Sequence, residues 1–193
     1  FPASTSVPKP IQKNPPVWVA ARSPESHDFA VAHGANVMVT PLMKGDEEVA
    51  DLIGKFEAAV AAHPEQERRP DVMVLRHTFV HSAEDPGGWR VGAAGINRFY
   101  RAFDAWFGNR TTPVNGFLDP SPDERFADRP EFGLDALRRS AMIGTADEVI
   151  GRLRGYEALG VTEYAFWCDN SLGHDDKKRS LQLFIDRVVP AFR

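Results

Sequence analysis

Short apolar runs alternate with longer amphipathic segments along this chain, and that alternation restricts the fold more than any other feature. The first run, residues 17–21, has no polar alternation, which is typical of a strand buried on both faces of a parallel sheet. Strands that alternate with helices imply right-handed crossovers. The sequence predicts an α/β fold of about four βα units, either half of an eight-stranded barrel or a small open doubly wound sheet. The predicted strands are 17–21, 36–41, 72–80 and 164–167.

The predicted helices carry recognisable start and stop signals. In the first, at residues 24–33, Ser23 is the expected N-cap and Gly34 ends the helix. A later helix opens on a capping box formed by Thr145 and Glu148. The remaining helices are expected at about 45–63, 92–107 and 175–189.

The turn from the first strand into the first helix is the strongest candidate for a binding site. A helix N-terminus presents free backbone N–H groups and the positive end of the helix dipole, which together favour a phosphate. Arg22, Ser23 and Ser26 lie beside that N-terminus, and Pro24 suits the first helical position. The alternative is an ordinary capped helix whose polar residues meet only water.

Length and charge narrow the functional classes. A chain of 193 residues can bury a sizeable core, and one domain, residues 1–193, is expected. The net charge of −4 gives no sign of binding to nucleic acid or to a membrane surface. No apolar stretch reaches the ~20 residues of a membrane span. Cys168 is the only cysteine, so no intrachain disulfide is expected, and the default location is the cytoplasm.

Residues 81–140 are less distinctive. The aromatic stripe of the helix near 92–107 indicates core or interface packing. Residues 108–133 are rich in proline and charge and show little periodicity. A loop of this length inside a compact domain is usually a lid, a binding segment or a mobile excursion. We therefore expect a lid or insertion loop at 108–133, after the third strand.

Three blocks of the sequence resemble the bacterial-luciferase-like flavin monooxygenases. The first block runs from the proline-rich lead-in through the first turn to the end of the first helix, and the second precedes the last predicted strand. The third closes the chain. The blocks are 8–18 with 23–26 and 32–34, then 143–150 with 159–161, and finally 179–193.

The resemblance implies a (β/α)8 barrel of TIM type that uses reduced FMN and O2 to oxygenate a small organic substrate. It also implies a flavin reductase that supplies the reduced FMN. This chain would provide the fifth to eighth strands. In the family, the turn after the fifth strand holds the flavin phosphate, so the resemblance assigns that role to Ser23 and Ser26, with Arg22 placed to help. The family's usual catalytic histidine lies in the half that is absent here, and no catalytic residue is assigned.

Other side chains are weaker candidates. His77 could face the pocket as an acid/base group or a flavin-ring contact, but the absence of a catalytic partner nearby in sequence favours a structural histidine. Trp167 could wall a flavin or substrate pocket, although core packing is the more expected use. Cys168 shows no local cue for a nucleophile. No histidine pair has the spacing of a metal motif, so no metal site is expected.

A parallel half-barrel exposes two sheet edges and the interior face of its strands. We therefore expect the N-terminal half of the barrel, on the same or a separate polypeptide, to cover them. A second copy of the chain, giving a homo-oligomer, is the alternative. The chain begins with Phe1 rather than Met, which fits processing, a cloned fragment or missing upstream sequence.

Two other functions stay open at this point. One is a deazaflavin-dependent oxidoreductase on the same barrel, which transfers hydride and uses no oxygen. The other is a non-catalytic half-barrel that binds a phosphorylated ligand or serves as an assembly partner. The sequence does not specify the substrate.

Overall fold

The computed structural model describes residues 7–108, 112–119 and 121–193. Its strands are β1 (Trp18–Ala20), β2 (Asn36–Val39), β3 (Val72–Val80), β4 (Met142–Gly144) and β5 (Glu163–Trp167). Its helices are α1 (Pro24–Ala32), α2 (Asp46–Ala62), α3 (Trp89–Gly108), α4 (Leu134–Ser140), α5 (Ala146–Ala158) and α6 (His174–Leu183). Short 3-10 turns at Asp123–Phe126 and Pro130–Phe132 precede α4, and α6 continues as a π-helical turn, Phe184–Val188, and a 3-10 turn, Val189–Phe192.

The five strands form one sheet in which every pairing is parallel. β1 pairs with β2, and β2 pairs with β3. β3 is the longest strand and holds the sheet together, because it pairs with β2 through residues 72–74, with β5 through 73–77 and with β4 through 78–80. Parallel strands need crossover connections, which the helices supply. The predicted fold class is therefore confirmed.

One face of the sheet packs against helices and forms the main core. Successive strand residues point to opposite faces, so every second residue of β2 and β3 lies on this side. Four such valines have no exposed surface: Val37, Val39, Val72 and Val74. α2 contributes a stripe of buried residues at helical spacing to the same cluster: Val49, Leu52, Ile53 and Phe56. Burial of one such side chain stabilises the fold by about 1.5–3 kcal/mol.

A second cluster lies at the carboxyl ends of β3 and β4. Phe79 of β3 and Ile143 of β4 share this cluster with Ala93 and Ile96 of α3. α3 comes close to the sheet because Gly92 has no side chain: a Cβ there would lie 2.5 Å from the Phe79 ring. α3 therefore covers the end of the sheet at which binding sites of parallel α/β folds lie.

The opposite face of the sheet is only partly covered. Trp18, Met38, Leu75 and Ala165 alternate with residues of the main core, and each is partly exposed. Within the described residues, β1 pairs only with β2 and β5 pairs only with β3. A parallel sheet normally has both faces covered. This half-covered face, with its two unpaired edges, is consistent with half of a closed barrel.

The structure adds detail that the sequence did not predict. β4 has three residues, of which only Met142 and Ile143 are large and apolar, so it is too short to give a periodic signal. Residues 121–133 contain two 3-10 turns rather than a wholly irregular loop. The predicted lid at 108–133 includes 109–111 and 120, which lie outside the described residues, and its role stays a prediction. No helix in the described part of the chain is long and apolar enough to span a membrane.

Candidate functional site

The turn between β1 and α1 has the predicted local structure. Ser23 is the N-cap of α1, in extended conformation, and Pro24 occupies the first helical position. The Ser23 hydroxyl accepts a hydrogen bond from the Ser26 backbone N–H at 3.3 Å. Gly34 ends the helix with a φ of +65°, a conformation that glycine adopts without strain. The predicted N-cap and helix end of α1 are therefore confirmed.

The Ser26 hydroxyl is fully engaged inside this turn. It accepts hydrogen bonds from the backbone N–H groups of Arg22, at 3.0 Å, and Ser23, at 3.1 Å. It also donates to the Ser23 carbonyl oxygen at 2.8 Å. The Ser23 hydroxyl has a long contact of 3.5 Å to the Ser26 oxygen, and it also donates to the Glu25 carboxylate, whose pKa this hydrogen bond lowers. Ser26 thus holds the turn in shape, while the exposed Ser23 hydroxyl is bonded, among the described residues, only to the exposed Glu25 carboxylate and to Ser26.

Arg22 connects this turn to the neighbouring βα turn. Its guanidinium donates to the Thr40 carbonyl oxygen at 3.0 Å and forms an ion pair with Glu48 in the first turn of α2. Glu48 also pairs with Lys44 at 3.2 Å. Two cations therefore share one carboxylate beside the N-termini of α1 and α2. The Arg22 side chain stays 47% exposed, so an anion in solution can reach it.

His77 lies on the half-covered face of the sheet, one strand residue after the buried Arg76 on the opposite face. Parallel pairing puts His77 level with Trp167 of β5, and the two rings stack with centroids 3.9 Å apart and planes 19° apart. Phe99 and Tyr100 of α3 also pack against the imidazole, with ring centroids 4.5 and 5.0 Å from its centroid. His77, Phe99, Tyr100, Trp167 and Asn170 are called the His77 cluster below.

The hydrogen bonds of this cluster fix the protonation of His77. Asn170 is fully buried, and its amide nitrogen donates to the Thr78 carbonyl oxygen at 3.2 Å. Its amide oxygen therefore faces His77 Nδ1, which must carry the proton of that hydrogen bond. Burial lowers the pKa of His77 to about 4, although the Asn170 hydrogen bond opposes the shift, so the imidazole is neutral near pH 7.

Two polar atoms of the His77 cluster are buried without a hydrogen-bond partner: His77 Nε2 and the Tyr100 hydroxyl. Burying such a group unpaired costs about 1–3 kcal/mol. The sequence pattern placed His77 on a strand face, but it gave no sign of Asn170 or Tyr100, because those partners come from distant segments. His77 thus has a structural role through the hydrogen bond of Nδ1 to Asn170, while its Nε2 has no hydrogen-bond partner among the described residues.

Two further polar residues follow β5 directly. Cys168 is an exposed free cysteine next to Trp167. Asp169 forms an ion pair with Lys177 at 2.8 Å. Among the described residues, no group of three or more histidine, cysteine, aspartate or glutamate side chains is placed to hold a metal ion.

A charge network around the buried Arg76, on the helix side of the sheet, was not predicted. Arg76 is 2% exposed, and its guanidinium donates to Asp46 at 2.6 Å. Asp46 also accepts two hydrogen bonds from Arg152, at 2.9 and 2.8 Å, and one from the Tyr156 hydroxyl. Burial raises the pKa of Asp46, but the hydrogen bonds from Arg152 and Tyr156 and the nearby positive charges outweigh it and lower the pKa overall. This network joins β3, α2 and α5.

Together, the parallel sheet, the capped β1–α1 turn and the polar groups at the carboxyl ends of the strands define a parallel α/β protein with its candidate binding site at that end. The sequence model of the luciferase-like monooxygenases matches residues 2–163. The chain belongs to that family.

One curated relative is similar over the whole chain. The oxygenase component of the flavin-dependent trigonelline monooxygenase of Acinetobacter baylyi is 47% identical over 193 residues, which cover 100% of this chain and 53% of the relative. The chain spans about half the length of the curated relatives it matches.

Solved structures share the fold at low sequence identity. The monooxygenase RslO1 from Streptomyces bottropensis superposes with a TM-score of 0.68 at 19% identity, over 97% of this chain and 51% of that chain. An F420-dependent secondary alcohol dehydrogenase gives a TM-score of 0.65 at 17% identity, over 96% of this chain and 51% of that one. These likenesses describe the fold alone.

Proposed function

We propose that this chain is the C-terminal half of a flavin-dependent monooxygenase, which uses reduced FMN and O2 to oxygenate a small organic substrate. The observation that carries the proposal is the 47% identity, along the whole chain, to the oxygenase component of a flavin-dependent monooxygenase. Such an enzyme works only when the other half of the barrel is present, because the chain matches about half of that relative. The activity therefore belongs to the assembled protein.

The β1–α1 turn is the proposed site of the FMN phosphate. Ser23 is exposed and its hydroxyl can exchange the Glu25 carboxylate for a phosphate, Arg22 supplies a positive charge, and the α1 N-terminus adds its dipole. Ser26 fixes the turn through its three hydrogen bonds to Arg22 and Ser23. Glu48 neutralises part of the positive charge, so a bound phosphate competes with it for Arg22.

The residues of the chain also suit the flavin ring. The His77 cluster offers aromatic surface and an unpaired acceptor on the face of the sheet that would line the barrel interior. Bound reduced FMN supplies the electrons that activate O2. The chain holds the cofactor, keeps water out and shapes the pocket, with the lid at 108–133 as a proposed wall of the substrate site.

The partner that best fits the half-covered face is the N-terminal half of the barrel. It would pair with the free edges of β1 and β5 and bury Trp18, Met38 and Leu75. We extend the proposal to a homo-oligomeric enzyme in the cytoplasm that receives reduced FMN from a flavin reductase. The flavin reductase follows from the family resemblance, whereas the homo-oligomer follows from the unpaired sheet edges and the location from the composition of the chain.

A deazaflavin-dependent oxidoreductase is the second candidate function. The observation in its favour is the fold likeness to an F420-dependent alcohol dehydrogenase, whose TM-score of 0.65 is close to the 0.68 of a monooxygenase. The two cofactors share a phosphate on a ribityl chain, so the turn alone does not separate them. Oxygen consumption does, because hydride transfer to or from a deazaflavin uses none.

Activity of the assembled barrel tests the proposal. The chain is combined with its N-terminal half, supplied with FMN, NADH and a flavin reductase, and given trigonelline as the first substrate. Substrate-dependent O2 uptake with one oxygen atom from 18O2 in the product supports the monooxygenase. Flavin binding without any oxygenated product, across trigonelline and related pyridine carboxylates, contradicts it. Reduction of F420 by an alcohol would favour the second candidate.

A further inference from the structure

His77 combines three properties that are rarely found together. Its ring is 3% exposed, its Nδ1 proton is committed to Asn170, and its Nε2 has no hydrogen-bond partner. The Asn170 amide cannot be turned over without losing its bond to the Thr78 carbonyl oxygen, so the tautomer is fixed. Nε2 is therefore an acceptor that no group of the described residues satisfies in this structure, and the Tyr100 hydroxyl of the same cluster is equally without a partner.

The surrounding rings show how a donor can reach this atom. Tyr100 is buried under α3, whereas Phe99 and Trp167 are only partly buried. Trp167 is the last residue of β5, and Cys168 and Asp169, which follow it, are exposed. Phe99 and Trp167 are thus the two rings of the cluster that lie partly at the surface beside His77.

The position of His77 matches the proposed phosphate site. β1 and β3 are separated by β2, so their axes lie about 10 Å apart. The pairing places Ala20 level with Met38 and, through it, with Met73. Ser23 follows Ala20 by three residues, and His77 follows Met73 by four. Both therefore lie toward the same end of the sheet. The ribityl chain of FMN can span a separation of this size.

Resting on the proposed function, we propose that His77 Nε2 accepts a hydrogen bond from the imide N–H of the flavin ring, which enters the His77 cluster when Phe99 or Trp167 turns outward. The imide is the only ring N–H of oxidised FMN. His77 would then place the pyrimidine end of the flavin against β3, while the β1–α1 turn holds the phosphate. The substrate is left to the remaining part of the barrel interior.

The direct readout is the 15N chemical shift of His77 Nε2 in the chain combined with its N-terminal half. Without ligand, Nε2 shows the shift of an unprotonated nitrogen. Added oxidised FMN moves it in the direction of hydrogen-bond acceptance, and N3-methyl-FMN, which lacks the donor, does not. An unchanged shift at saturating FMN overturns the proposal. A shift that responds to trigonelline and not to FMN also overturns it, because the donor would then come with the substrate.

A pair of variants separates the ligand contact from the structural role of His77. His77→Phe keeps a ring in the cluster but removes Nε2, whereas Asn170→Ala breaks the same His77–Asn170 bond and leaves Nε2 in place. We expect FMN affinity to fall about tenfold or more in His77→Phe, as for one lost hydrogen bond, and clearly less in Asn170→Ala. Equal losses in the two variants contradict the proposal.

The same titrations distinguish failure of this inference from failure of the proposed function. If the unaltered assembled protein binds no FMN, the proposed function fails. If it binds FMN and His77→Phe binds it equally well, only the role of His77 fails. Thermal unfolding of each variant, measured without ligand, shows whether a lost affinity follows merely from a lost fold.

Discussion

Asp46 holds the buried guanidinium of Arg76 at 2.6 Å, across the interface between α2 and the sheet. Arg76 interrupts an otherwise apolar core face, and burying a cation there is costly unless it is paired. Asp46 meets that requirement and also binds Arg152 and Tyr156 of α5. The pair therefore fixes two helices, α2 and α5, relative to the central strand β3.

Removing the Asp46 carboxylate should lower the free energy of unfolding. Asp46→Asn leaves the charge of Arg76 without its counter-ion, and we expect a loss of about 2 kcal/mol, below the 3–5 kcal/mol of a fully buried pair because Asp46 is partly exposed. Asp51→Asn in the same helix is the matched control, since its pair with Lys55 lies on the surface. Urea unfolding measures both, and equal effects would contradict this role of Asp46.

The same pair should appear in the acid stability of the protein. The pKa of Asp46 is lowered from its ordinary value of 3.8, so its contribution is fully present above that value. It is lost as the pH falls through the lower folded-state pKa. Asp46→Asn should lack this component. Unfolding measured from pH 6 to pH 2 tests the difference, and parallel curves for the two proteins would refute it.

His63 should give a pH dependence of the opposite sign. Its Nε2 lies 2.7 Å from Asp28 and its Nδ1 lies 2.9 Å from Glu65, and these hydrogen bonds raise its pKa above 6.5. A raised pKa stabilises the fold below 6.5 and loses that effect as the pH rises through the folded value. NMR titration of His63 should show the raised pKa, and Asp28→Asn should lower it. A midpoint at or below 6.5 in the unaltered protein would contradict the contact.

Two glycine substitutions should have opposite effects on stability. Gly92→Ala puts a Cβ 2.5 Å from the Phe79 ring, and the overpacking should cost about 1–3 kcal/mol. Gly54→Ala in α2 meets no atom within 4 Å and should stabilise its helix by about 0.5–1 kcal/mol. Thermal unfolding compares them. A neutral Gly92→Ala would mean that α3 does not lie close to β3.

The two serines of the β1–α1 turn should differ in their effect on cofactor binding. Ser23→Ala removes the exposed hydroxyl that can turn from Glu25 to a phosphate, and we expect FMN affinity to fall by about 1.5 kcal/mol. Ser26→Ala acts through the shape of the turn and should cost less. Riboflavin, which has no phosphate, is the control ligand. If its affinity falls as much as that of FMN, the phosphate does not bind at Ser23.

The sequence revealed most of the fold, because the features that specify it are local. The apolar run that became β3 and the capping signals at Ser23 and Thr145 are each readable within a few residues, and the structure confirms them. The short β4 was not predicted, because it forms only by pairing with the end of β3.

The candidate site was harder to predict from the sequence, because its contacts join residues that are far apart along the chain. The partners of His77 are separated from it by up to 93 residues, and the Arg76–Asp46 pair by 30. No periodic pattern predicts which distant amide will meet a given imidazole. Alternation along a strand puts neighbouring residues such as Arg76 and His77 on opposite faces, and their packing partners agree with that division.

Binding of FMN by the separated and the combined halves shows whether this chain is part of a flavin-binding barrel. The chain, its N-terminal half and their equimolar mixture are each titrated with FMN, and quenching of flavin fluorescence gives the affinity. We expect tight binding, at one FMN per pair of halves, in the mixture alone. Binding of equal strength by this chain without its partner, or no binding by the mixture, would show that the barrel is not the flavin-binding unit.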